Sequence, residues 1–146
     1  MAKRLGIWDE IATILLSLVL LAFPVYWLLD YEKPFEFTRL VQSGEALPGG
    51  QLQVLTEGTR VRDCPVNVQI ILHDGGNRRY LARSVTYESP GDLGKTSYMV
   101  AIDIPQWFKP GMGLYTVVLA YRCNPWQILI DPKVIQKTIP VVFDDK

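Results

Sequence analysis

Histidine and cysteine are scarce. The 146 residues include one His, His73, and two cysteines, Cys64 and Cys123, with no Cys-x-x-Cys pair. A structural zinc takes four ligands, so this supply is too small for one, and no metal or cofactor is expected. The same scarcity removes the usual catalytic pairs. His73 beside Asp74 in a Gly-rich stretch has the chemistry of a general base, but a lone His at a hairpin end reads as a turn residue. No Ser or Cys nucleophile has a companion in view, and the chain is expected not to be an enzyme. Excess charge is missing too. Fifteen basic and fifteen acidic residues cancel, so no field of one sign would recruit nucleic acid. Amphipathic helical patterns are absent beyond the N-terminal region, which argues against an α/β arrangement.

The most prominent feature present is an unbroken apolar run of 19 residues, Ile11 to Leu29. At about 1.5 Å rise per residue it is long enough to cross a hydrocarbon core of about 30 Å. Its only polar side chains, Thr13 and Ser17, are too few to form the wet face of a core helix. A cleaved signal peptide would have a shorter apolar region and a small-x-small site, whereas this run ends in Tyr26, Trp27 and Leu28. An uncleaved signal anchor is the expectation, kinked at Pro24, with Trp8 at one end and Tyr26, Trp27 and Tyr31 at the other as interfacial aromatics. Lys3 and Arg4 precede the run while Lys33 and Arg39 follow it, so the positive-inside margin is narrow. The short N-terminal tail and the two downstream cysteines favour a cytoplasmic N-terminus and an exported C-terminal portion. In a bacterium, or a phage infecting one, that places the rest in the periplasm. The expected organisation is a cytoplasmic tail at 1–10, the transmembrane anchor at 11–29, a juxtamembrane linker at 30–34 and one β-domain at 35–146.

After the anchor, short alternating runs are punctuated by Gly and Pro, the signature of strands and turns. Phe35, Phe37 and Val41 mark a first strand, Gly44 to Gly50 a turn, and Gln51 to Val61 a second strand. Val66, Val68, Ile70 and Leu72 share a face, Asp74 to Asn77 supplies a hairpin turn, and Arg79 to Tyr87 returns. Ser89 to Lys95 reads as a loop. Tyr98, Val100, Ile102 and Ile104 form one further face, Tyr115, Val117, Leu119 and Tyr121 another, and Val134 to Phe143 closes the domain. About seven short strands with regular turns fit an all-β antiparallel sandwich.

The stretch Pro110-Gly111-Met112-Gly113-Leu114-Tyr115-Thr116-Val117 resembles the start of a late strand in immunoglobulin-like and fibronectin type III-like domains, where a Pro-Gly turn precedes a Tyr. The resemblance covers Phe35 to Phe143 and implies that Tyr115 is the corner tyrosine whose hydroxyl returns to the backbone. The cysteine pattern departs from that of antibody domains: Cys123 follows Tyr115 by eight residues rather than two, and no Trp stands in the usual place after Cys64.

Cys64 and Cys123 each lie next to a proline-marked bend. With export, they are expected to form a disulfide; the alternatives are two separate buried thiols or a metal pair, the latter poorly supplied with ligands. Arg60, Arg62, Arg78, Arg79 and Arg83 make either a basic patch for lipid headgroups or phosphate, or a solvated strand face, with alternation favouring the second. The candidate interaction residues are loop aromatics, Trp107 and Phe108 in one loop and Trp126 in another; the alternative is that a Trp in such a loop caps the end of the core. The two loops flank one strand and are expected at opposite ends of the domain. The function expected is that of a membrane-anchored binding or structural module, held in the bilayer by residues 11–29, with an envelope protein as partner and no nucleic acid. The alternative is a small phage- or plasmid-encoded envelope effector that modifies a membrane process.

Overall fold

The structure is a computed structural model that describes residues 3–30 and 32–145. Tyr31 and the side chain of Trp8, both assigned above to interfacial girdles, lie outside the described residues. The first helix, α1, spans Lys3–Leu28 and begins well before the apolar run, because the preceding residues include no proline to interrupt its hydrogen-bond ladder. Its stretch Asp9–Leu28 is long and apolar enough to cross a membrane, and none of it is buried by the rest of the chain. The two aliphatic hydroxyls in that stretch are satisfied within the helix: Thr13 Oγ1 donates to the Asp9 carbonyl (2.7 Å) and Ser17 Oγ to the Thr13 carbonyl (2.8 Å). Neither leaves an unmet donor facing outward.

Seven strands follow: β1 (Phe35–Ser43), β2 (Gln51–Arg60), β3 (Val66–His73), β4 (Arg79–Tyr87), β5 (Gly94–Asp103), β6 (Gly111–Tyr121) and β7 (Lys133–Phe143). They form two antiparallel sheets, β1-β2-β5 and β4-β3-β6-β7. The result is the expected immunoglobulin-like sandwich. Its fourth strand lies beside β3, not beside β5 as in the constant-type arrangement. The alternation read from sequence carries the core: Leu52 and Val54 from one sheet meet Ile70, Leu72, Tyr115 and Leu119 from the other. Phe35 seals the end next to α1, and Phe143 with Phe108 seals the far end.

Two local expectations change. β5 begins at Gly94, inside the stretch read as a loop. Between β6 and β7 the chain forms a one-turn helix, α2 (Pro125–Leu129), where no helix was expected. Its cause is local: Asn124 caps it, accepting from the Gln127 amide (3.0 Å), and Pro125 occupies the first turn, where its missing N–H costs nothing.

Cys64 and Cys123 are bonded, with Cα atoms 4.9 Å apart. The register explains why. Val66 of β3 faces Tyr121 of β6, and continuing the same antiparallel count two residues outward sets Cys64 opposite Cys123. The bridge therefore lies within one sheet, unlike the inter-sheet bridge of antibody domains. Among the described residues no cysteine is free.

Candidate functional site

The three candidate aromatics separate as the strand direction of β6 requires. Trp107 and Phe108 precede β6 at the end of the sandwich away from α1, and Trp126 follows it at the end beside α1. Phe108 is 3% exposed and packs edge-on to Tyr80 and Phe143. It belongs to the core, which removes it from the interaction residues. Trp107 is 49% exposed, with one edge against Tyr80 and Phe108. Arg78 lies over its ring, Cζ 4.8 Å from the centroid.

Arg78 is held by Asp74, a fully buried carboxylate that organises this end of the domain. Asp74 Oδ1 accepts from the amides of Gly76 (2.9 Å) and Arg78 (2.8 Å), while Oδ2 accepts from Arg78 Nε (2.9 Å) and the Lys109 amide (3.1 Å). A further bond runs from the Arg78 guanidinium to the Trp107 carbonyl. One carboxylate thus ties the β3–β4 turn to the β5–β6 loop. Burial pushes its pKa up, but the hydrogen bonds from Arg78, Lys109 and Gly76 outweigh that and bring it down to about 2. The sequence showed Asp74 only as a turn residue beside His73. His73 stands at the end of β3 with Nδ1 buried and without a hydrogen-bond partner among the described residues.

Tyr115 lies inside β6, opposite Leu72 of β3 and Ile139 of β7, with its ring buried. Burial raises its hydroxyl pKa above the ordinary value. Among the described residues its hydroxyl has no hydrogen bond to the backbone of the kind a corner tyrosine makes.

Trp126 is partly buried and, with Trp27 and Leu28 of α1, lines a shallow hollow of about 320 Å³. Nearby, Asp30 receives both a short bond from Arg62 (2.8 Å to each oxygen) and one from Asn124 Nδ2 (3.2 Å). The Arg62 bond chiefly holds the Asp30 carboxyl below its usual range. Arg62, Arg78 and Arg60 therefore do not form one basic patch. Each is committed locally, Arg60 through Nη1 to the Pro90 carbonyl (2.5 Å).

One further concavity was not legible in the sequence. Because β4 pairs with β3 and β5 with β2, the edges of β4 and β5 part on one flank, leaving a cleft of about 610 Å³ that reaches the core. Val66, Val68 and Leu119 form an apolar floor, with Tyr121 beside it. Burial pushes the Tyr121 hydroxyl up to about 12. The lining includes the cations Arg60, Arg83 and Lys95 against the single carboxylate Asp92. Arg60 Nε is buried there without a partner among the described residues. Size, apolar lining and a few convergent polar groups are those of a binding site. No protein-family model matches the chain, and no curated protein matches it in sequence.

Proposed function

We propose that this chain is a membrane-anchored, non-enzymatic binding module. In this reading α1 spans the inner membrane with its N-terminus in the cytoplasm, and the sandwich stands in the periplasm or outside the cell. The lateral cleft receives a segment of an envelope protein. The observation that carries the proposal is the cleft itself: an apolar channel into the core between two strand edges that no other strand covers among the described residues. An extended segment with apolar side chains and an acidic residue suits that floor and its cationic rim. The intra-sheet disulfide supports an oxidising compartment for the domain.

The test is site-specific photo-crosslinking in cells, with the reactive side chain at Met99 in the cleft or at Glu45 in the far β1–β2 turn. Capture of one envelope protein from position 99, lost when Val85→Trp fills the cleft, is the expected result. Equal capture from both positions, or capture unaffected by filling, refutes the cleft as the binding surface. An impermeant maleimide tests orientation: thiols labelled in intact cells only after reduction support export, and labelling only after the membrane is opened reverses it.

A further inference from the structure

The α2 loop presents an apolar tip at the wrong place for a surface in water. Ile128, Leu129 and Ile130 are 56%, 81% and 61% exposed, and Pro125 to Ile130 contains no charge. Scattered exposed apolar residues need no explanation, but three in succession beside a tryptophan do. Their location supplies one. Asn124, which caps α2, bonds to Asp30, and Asp30 lies two residues past the end of α1. Trp126 shares its hollow with Trp27 and Leu28, the last residues of the stretch able to cross a membrane. The tip is therefore held level with the end of α1, where a spanning helix meets the headgroups. Its makeup, a Trp with Ile and Leu, flanked by Arg122 on one side and Asp131 on the other, is that of a segment seated at a lipid interface.

We infer that residues 126–130 form a second membrane contact, in which Ile128, Leu129 and Ile130 enter the leaflet on the domain's side of the bilayer next to α1. The inference rests on α1 spanning the membrane. Its consequence is orientation: two contacts, one spanning and one shallow, stop the sandwich from swivelling on its short linker. The cleft between β4 and β5 then faces along the membrane, and the Trp107 end points away from it.

The test uses the full chain in lipid nanodiscs, disulfide intact, with an environment-sensitive fluorophore on a single new cysteine. Leu129→Cys reports the tip, Leu18→Cys the middle of α1, and Glu45→Cys the far end. The expected result at 129 is emission blue-shifted relative to 45 and quenched by lipids carrying a nitroxide near the headgroup. Quenching at 18, by nitroxides deep in the acyl chain, without quenching at 129 overturns the tip contact alone. Absence of quenching at 18 removes the span and the tip contact with it. A blue shift at 129 that lipid nitroxides do not quench means that protein, such as a second copy, covers the tip, and also overturns the inference.

Discussion

Replacing Asp74 by Asn removes one charge and almost no volume, and so isolates the bonding at the far end of the sandwich. The carboxylate offers Oδ1 to two backbone amides and Oδ2 to Arg78 Nε and the Lys109 amide. Asn keeps one oxygen; whichever way it turns, its amide group directs hydrogen at two donors. Two bonds are lost, and Arg78 loses its counter-ion. Hydrogen bonds to a charged group are worth about 1.5–3 kcal/mol each, and breaking a buried pair costs about 3–5 kcal/mol. The Arg78 side chain is 45% exposed and recovers part of its solvation, so the low end applies: about 3 kcal/mol, or roughly 10–20 °C in Tm for a domain of this size. Guanidinium titration of the full chain in detergent micelles, followed by near-ultraviolet circular dichroism, measures it. Asp145→Asn, at an exposed position, is the control and is expected to change stability by less than about 0.5 kcal/mol. A loss under about 1 kcal/mol in Asp74→Asn would show that the turn and loop are held by packing alone and refute the reasoning. The same carboxyl sets an acid limit. Its folded pKa is depressed from 3.8 to about 2, so its contribution is complete above the unfolded value and fades as pH falls through that window.

Other outcomes follow from the same geometry. Reduction of Cys64–Cys123, which closes a separation of 59 residues, is expected to cost about 4 kcal/mol on the chain-entropy model, read as a lower guanidinium midpoint with dithiothreitol; an unchanged midpoint refutes it. Tyr121 has a folded pKa raised to about 12. The stability it protects is intact below the unfolded value near 10 and is lost as pH rises towards 12, so unfolding should accompany the phenolate absorbance, and Tyr121→Phe should delay it. Gly113→Ala drives its new methyl into the His73 carbonyl and the Phe143 ring; a loss of about 1–3 kcal/mol is expected, and a neutral result in the same titration would mean β3 and β7 yield easily around it.

Strands were legible where one face is buried. Tyr115, Val117, Leu119 and Tyr121 stand two residues apart on one strand face, and all four are core residues. The far turn was legible through Asp74 to Asn77, and Asn77 does adopt a positive φ of 62°. What could not be read depends on partners distant in sequence. The cleft exists because β4 joined β3's sheet, a choice of neighbour that no pattern within β4 or β5 encodes. Phe108 and Trp107 are adjacent and equally aromatic, yet only Tyr80 and Phe143, from other strands, decide that one is core and the other half exposed. The α2 turn did carry a signal in Asn124-Pro125, a cap followed by a first-turn proline, which a search for amphipathic periods passes over because one turn has no period.

The strand directions also decide how the domain meets a mechanical load. α1 leads into β1 at the near end, and β7 runs out at the far end, so tension between the anchor and anything attached beyond Phe143 pulls along the strands. In that geometry the rungs of the β1–β2 and β6–β7 ladders are strained together, in shear, instead of opening one after another like a zip. The two loaded strands are also stitched to each other: Gln42 bonds the Val142 amide (2.9 Å) and carbonyl (3.1 Å), and Asp144 bonds Ala46 in both directions. A pull along the strands is thus met by many rungs at once and by the cross-links between β1 and β7.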